Sequence, residues 1–97
     1  MVTAIARIEI GLDGSRSLKD KRQILRSIVE RTRVRFQVAV AEVEDQDLWQ
    51  RAVIGVACVS ANGHHAHEVM QKVVDFITTA NPEAEVLDSV IELVEPF

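Results

Sequence analysis

The chain has 97 residues, 47% of them hydrophobic and 27% charged, and a formal net charge of −4 at pH 7. This composition is typical of one globular domain, which we place at residues 1–97, and the length suffices to bury about two-thirds of the unfolded surface. The single cysteine excludes a disulfide framework and a cysteine-rich metal site. No signal-peptide pattern is present and no apolar run reaches the ~20 residues that span a bilayer. We therefore expect a cytoplasmic protein with no membrane partner.

The first two elements are predicted from their periodicity. Met1–Leu12 has apolar residues at every even position, which predicts a half-buried strand. A glycine-containing loop follows, and Ser17 and Asp20 then have the spacing of a capping box. Ser17–Phe36 is predicted to be a helix, because apolar residues recur at helical steps. Its core face is predicted to consist of Leu18, Leu25, Ile28, Val29 and Thr32, with Lys21 pointing close to it.

The first helix concentrates the positive charge of the chain. Residues 16–35 include eight basic and two acidic side chains, a net charge of +6, whereas the remaining residues carry −10. Four basic residues fall on one exposed arc of about 60° at helical spacing, and one precedes the helix. Such a local excess is typical of a surface that binds an anionic partner, whereas the alternative is a solvated helix whose charges pair with the acidic remainder. The candidate nucleic-acid-binding residues are Arg16, Lys19, Arg22, Arg26 and Arg33.

The rest of the chain is predicted to supply three more strands and a second helix. The third strand is apolar on both faces, which favours a central position in a sheet. The last segment fits a helix or a strand by period alone, and its β-branched residues favour a strand. The predicted elements are the strand Phe36–Val43, a polar turn, the strand Leu48–Ala61, the helix His64–Thr79 and the strand Glu83–Glu95.

This order predicts an α+β fold of the ferredoxin-like type, a βαββαβ sandwich with a four-stranded antiparallel sheet and two helices on one face. The other sheet face would carry an apolar patch unusually large for a monomer. We therefore expect a homodimer or another protein partner on it, unless bends or bulges place some of these residues inside. The predicted interface residues are Ile5, Trp49, Ile54, Val56, Leu87 and Ile91, with Ala39, Ala41, Cys58 and Leu93 as further contributors.

Trp49 is the only tryptophan and lies where the chain leaves the turn between the second and third strands. The favoured interpretation is an anchor in the core or in an interface, because buried indole contributes a large apolar area. The alternative is a stacking platform beside Arg51.

No catalytic or metal-binding constellation is evident. His64, His65 and His67 fall near the start of the second helix with Glu68, but no further ligand is apparent, so no metal site is predicted and the question stays open. The acidic run 42–47 is interpreted as a solvated turn, and Cys58 as a small buried residue. There is no nucleophile–base pair, P-loop or GxGxxG motif. We therefore expect no cofactor, no small-molecule substrate and no enzymatic activity.

Several short motifs resemble one family. They are SLKDKR at 17–22, FQVAVAEV at 36–43, DLWQRA at 47–52 and VVDFI at 73–77. In these motifs the chain resembles the YlxP-like family of small bacterial proteins without an assigned biochemical function. The resemblance implies a ferredoxin-like fold and a bacterial cytoplasmic protein, and it supplies no catalytic residues. Members tend to be encoded beside translation and ribosome-maturation factors, which implies association with RNA or the ribosome.

Two functional hypotheses follow. The first is an RNA- or ribosome-associated protein that uses the basic first helix to contact phosphates, because the central strands lack the aromatic residues with which RRM domains stack bases. The alternative is a homodimeric protein-interaction module that acts through the apolar sheet face and has no nucleic-acid role.

Overall fold

The computed structural model describes all 97 residues. Its elements are β1 (Val2–Gly11), α1 (Leu18–Phe36), β2 (Ala39–Glu44), β3 (Arg51–Ser60), α2 (Gly63–Ala80) and β4 (Glu85–Val94). The strands form one antiparallel sheet in the order β2-β3-β1-β4, and the two helices pack against it. This arrangement confirms the predicted ferredoxin-like fold. No helix combines the length and the apolar character needed to cross a membrane.

Residues at both ends of helix α1 form hydrogen bonds with backbone groups that lack a partner within the helix. The Ser17 hydroxyl accepts a hydrogen bond from the Asp20 N–H at 3.1 Å, and the Asp20 carboxylate accepts one from the Arg16 N–H at 3.0 Å. At the other end, Gln37 adopts a left-handed conformation and its N–H donates to the Arg33 carbonyl at 2.8 Å. Phe36 is therefore the last helical residue. The prediction that it begins the second strand is wrong, and β2 begins at Ala39.

Helix α2 has an equally clear start. The Asn62 side chain accepts a hydrogen bond from the His65 N–H at 3.2 Å, which caps the helix one residue before its first turn. Four residues at helical spacing are buried against the sheet: Ala66, Met70, Val73 and Ile77.

Strand register decides which face of the sheet each residue occupies. Ile54 lies opposite Ile8, and Val56 and Ile91 both lie opposite Ala6. Since directly opposed residues share a face, all three point toward the helices, where Ile54 and Val56 are buried and Ile91 packs against the core. The prediction that they form the outer interface is therefore wrong. Because β3 is apolar on both faces, its sequence does not indicate which of its residues point toward the helices. Cys58 and Leu93 both lie opposite Ala4 and therefore also point toward the helices.

The outer sheet face keeps an apolar surface with partly different members. Ile5 and Leu87, predicted to lie there, are 41% and 42% exposed. Small residues predicted for this face, Ala39 and Ala41, are also exposed on β2. The other exposed apolar side chains on this outer face are Val43, Val59, Val90 and Val94.

Candidate nucleic-acid interface

The five basic residues predicted to bind nucleic acid lie along one side of α1 and its preceding loop. All five are exposed, and none has a carboxylate within the 4.0 Å of an ion pair. We call this surface the basic flank: Arg16, Lys19, Arg22, Arg26 and Arg33. Its charges are therefore not neutralised within the chain.

One member of the basic flank also has an internal contact. The Arg33 guanidinium donates a hydrogen bond to the Val40 carbonyl at 3.1 Å. Val40 belongs to β2, which is an edge strand of the sheet. Arg33 therefore links the end of α1 to this edge, and the bond to a neutral carbonyl leaves the positive charge of Arg33 unpaired.

Lys21 has a different environment from its neighbours in sequence. Its side chain is only 1% exposed, and Nζ lies 2.8 Å from Glu42 Oε2 and 2.5 Å from the Asp45 carbonyl oxygen. Asp45 has a left-handed backbone conformation with φ 59°, which turns the chain at the end of β2. Lys21 thus fastens the first turn of α1 to the β2–β3 connection, and it is not available to an external anion.

Arg31 and Arg35 are engaged on the side of α1 that faces α2. The two guanidinium carbons lie 5.6 and 5.2 Å from the centre of the Phe76 ring, and Phe36 meets Phe76 edge to face with ring centres 5.6 Å apart. Arg31 also donates to the Ala80 carbonyl at 2.9 Å. Cation–π contact of this kind stabilises the pairing of the two helices. The sequence did not reveal this cluster, because the second helix supplies half of it.

Trp49 belongs to an exposed loop that connects β2 to β3. The prediction that β3 includes Leu48 and Trp49 is wrong, because the strand begins at Arg51. Trp49 is 54% exposed, so it is not a core residue. The Gln50 amide donates to the carbonyls of Asp13 and Ser15, both at 3.2 Å. These bonds fix the Trp49 loop against the loop that carries Arg16.

The outer sheet face carries a charged cluster of its own. Arg7 on β1 makes two hydrogen bonds to the Glu44 carboxylate, at 2.6 and 3.2 Å, and one to Glu9 at 3.0 Å. The bonds to Glu44 and Glu9 raise the pKa of Arg7 above its usual value, and the bond from Arg7 lowers the pKa of Glu44 below its usual value. With one arginine and two glutamates the cluster has a formal charge of −1, so it does not attract an anionic ligand.

The remaining candidates for chemistry are the histidines at the start of α2 and the thiol of Cys58. His64 Nε2 lies 2.9 Å from Glu68 Oε1, one helical turn away. No group of three or more His, Cys, Asp or Glu side chains lies close enough to hold a metal ion. Burial raises the pKa of the Cys58 thiol, which disfavours its nucleophilic thiolate form.

Solved structures with a similar fold include an acylphosphatase from Bacillus subtilis and a designed protein with a ferredoxin fold. The acylphosphatase has a TM-score of 0.60 at 13% identity and is aligned over all of this chain and 89% of its own. The designed protein has a TM-score of 0.62 at 10% identity, over all of this chain and 87% of its own. At such low identity these likenesses concern the fold alone.

Sequence comparison gives the family. The Bacillus subtilis (strain 168) protein described as "Uncharacterized protein YlxP" is 39% identical over 69 residues, which are 71% of this chain and 74% of that protein. The sequence model of the family described as "Protein of unknown function (DUF503)" matches residues 3–91. The predicted YlxP-like resemblance is confirmed by both findings, and the chain therefore belongs to the DUF503 family.

Proposed function

We propose that this protein binds RNA, free or within the ribosome, through the basic flank of α1, and that it is not an enzyme. The observation that carries the proposal is the exposure of five basic side chains on one surface with no carboxylate partner. Unpaired charge of one sign on one face attracts a partner of the opposite sign. Gene proximity to translation factors, implied by the family resemblance, agrees with an RNA partner.

The dimensions of the basic flank suit a phosphate backbone. Lys19 and Arg33 are separated by about 21 Å along the helix axis, at 1.5 Å per residue. Arg22 and Arg26 lie between them on the same arc. A row of charges of this length can contact several consecutive phosphates, while the acidic remainder of the chain repels the backbone from other surfaces. Contacts to phosphate fix position and carry no sequence information, so specificity is expected to be weak.

Binding is expected to depend strongly on salt. Neutralising about four phosphates gives a slope of log K against log salt of about −3 for a single strand. A fluorescein-labelled RNA of mixed sequence, titrated by fluorescence anisotropy at several potassium chloride concentrations, measures this slope. A slope near zero, or no binding at low salt, contradicts the proposal.

Charge reversal on the flank tests the location of the site. Changing Lys19, Arg22 and Arg26 together to Glu is expected to weaken RNA binding at least 100-fold, because three phosphate contacts become repulsive. Arg22→Glu and Lys72→Glu form a matched pair, since both residues are exposed on helices and make no ion pair. The expected result is a clear loss of affinity for Arg22→Glu and a small one for Lys72→Glu. Equal losses of affinity would show that RNA binding depends only on the net charge of the protein, and would contradict a binding site on α1.

A second candidate function is favoured by the outer sheet face, through which we propose that two copies of the chain associate. One face of this sheet, with four strands of up to ten residues, has a projected area of about 600 Å². The accessible area of the side chains on that face is larger than its projected area. Each partner of a standard-size interface buries about 800 Å². Ile5, Val43 and Val90 are among the apolar side chains exposed on this face.

Light scattering tests the dimer. Ile5→Lys is expected to halve the mass of a dimer without unfolding the protein, because Ile5 is exposed on the outer face. Ile54→Lys is unsuitable, since it would bury a charge in the core. A monomeric wild-type mass at micromolar concentration contradicts this candidate.

A further inference from the structure

The loop that carries Trp49 combines exposure with fixed position. Leu48 and Trp49 are 49% and 54% exposed. The loop is nevertheless held at both ends, by Lys21 Nζ on the Asp45 carbonyl at 2.5 Å and by the Leu12 N–H on the Gln50 carbonyl at 3.0 Å. Large apolar side chains that stay about half exposed on a fixed loop are typical of a binding surface.

The same contacts bring Trp49 close to the start of the basic flank. The Gln50 amide lies 3.2 Å from the Ser15 carbonyl, and Gln50 and Ser15 directly neighbour Trp49 and Arg16 in the chain. Standard bond lengths then place the Trp49 and Arg16 Cα atoms within about 15 Å of each other. A ligand bound along Arg16 and Lys19 thus needs to extend only a short distance to reach the indole.

The surroundings of Trp49 suit a base better than a phosphate. Trp49 lines a shallow open concavity with Asp47, Leu48, Gln50 and Arg51. Asp47 repels phosphate, whereas an indole offers a π-face to any base and Arg51 adds a positive edge. A strand can therefore keep its phosphates on the basic flank while one base lies in this concavity. A duplex cannot do so, because its bases are paired and stacked.

We propose that the RNA bound by the basic flank is single-stranded and that one of its bases stacks on Trp49. The inference rests on the proposed function and deepens it, because it names the form of RNA and the residue that contacts a base. Sequence reasoning favoured Trp49 as an anchor. The hydrogen bonds of Gln50, which hold the Trp49 loop against the loop that carries Arg16, are visible only in the structure.

Intrinsic fluorescence gives a direct test in the wild-type protein. The chain has one tryptophan and no tyrosine, so all indole emission reports on Trp49. A single-stranded RNA 12-mer of mixed sequence is expected to quench this emission as it binds, and the same sequence as a duplex is expected to bind at least tenfold more weakly. Binding without quenching, or equal affinity for the two forms, overturns the inference.

Substitutions separate stacking from simple apolar contact. Trp49→Ala is expected to weaken single-strand binding about tenfold, the usual size of one base–aromatic stack, and to leave the salt slope unchanged because the phosphate contacts remain. Trp49→Phe is expected to restore most of the affinity, whereas Trp49→Leu is not. Val34→Ala, which removes an exposed apolar side chain that belongs neither to the concavity nor to the basic flank, is the control with unchanged affinity.

The outcomes distinguish the two proposals. If the Lys19, Arg22 and Arg26 reversal abolishes RNA binding but Trp49→Ala does not affect it, the flank is the site and the stacking inference is wrong. If wild-type protein binds no RNA at low salt, both proposals are wrong. If Trp49→Ala halves the mass in light scattering, Trp49 is a subunit contact and the stacking inference is again wrong.

Discussion

Basic side chains on the two sides of α1 have different environments. Lys19 is exposed without an ion-pair partner, whereas Lys21, two residues later, is buried against Glu42 and the Asp45 carbonyl. Arg26 points to solvent, whereas Arg31 and Arg35 contact Phe76 on α2. Lys21 is thus withdrawn from any external partner by burial and by a carboxylate, whereas Arg31 and Arg35 stay exposed and charged but are held against α2.

This difference changes how a basic helix should be interpreted. Of the eight basic residues between 16 and 35, three contact a carboxylate or an aromatic ring on another element: Lys21, Arg31 and Arg35. The other five basic residues lie together on the basic flank, which supports a single binding site that runs along α1. Substitutions in the first group are expected to reduce stability, whereas substitutions in the basic flank are expected to reduce RNA binding.

The largest expected effect is on stability, from Lys21→Met. Removing one member of a buried ion pair typically destabilises a protein by 3–5 kcal/mol, and we expect about 2–3 kcal/mol here because water reaches part of Glu42. Urea unfolding measures the change. The control Lys19→Met is expected to stay within about 0.5 kcal/mol of wild type. Adding Glu42→Leu to Lys21→Met should recover part of the loss, and equal stability of the two single variants would contradict the assignment.

A smaller effect is expected from a matched pair of double variants. Changing Arg31 and Arg35 to Ala removes the contacts with Phe76 and should destabilise the protein by about 1–2 kcal/mol, with little change in the salt slope of RNA binding. Changing Lys19 and Arg22 to Ala removes the same charge, and is expected to leave stability nearly unchanged while reducing the slope by about 1.5. Thermal unfolding and anisotropy titrations measure the two quantities. Identical behaviour of the two variants would remove the distinction between the sides of α1.

The smallest expected effect is a pH dependence at the outer sheet face. Arg7 lowers the pKa of Glu44 from its ordinary value of 4.5 in the folded state. This interaction stabilises the folded protein fully at pH values above the pKa of Glu44 in the unfolded chain. The stabilisation is lost as the pH falls through the pKa of Glu44 in the folded protein. Glu44→Gln should therefore be less stable than wild type near neutral pH, and the difference should disappear in acid below pH 4.5. Urea unfolding across this pH range measures the difference in stability, with Glu92→Gln as an exposed control on the same face of the sheet.

Local signals in the sequence predicted much of the architecture. Ser17 and Asp20 identified the start of α1, and the even residues of β1 identified its buried face. These signals succeed because hydrogen bonding at a helix start and the side-chain period of a strand depend on near neighbours in the chain. The placement of Ile54, Val56 and Ile91 failed, because it depends on how one strand is aligned with another.

The sequence by itself determined the order of the elements, the family, and the concentration of positive charge in one helix. Tertiary structure alone decided which of those side chains also contact other elements of the fold, since Lys21, Arg31 and Arg35 have partners between 21 and 49 residues away in the chain. It also brought the Trp49 loop against the loop that carries Arg16, through hydrogen bonds from Gln50 to residues 35 and 37 positions earlier. Contacts over such separations depend on strand pairing and helix packing, which local periodicity does not encode.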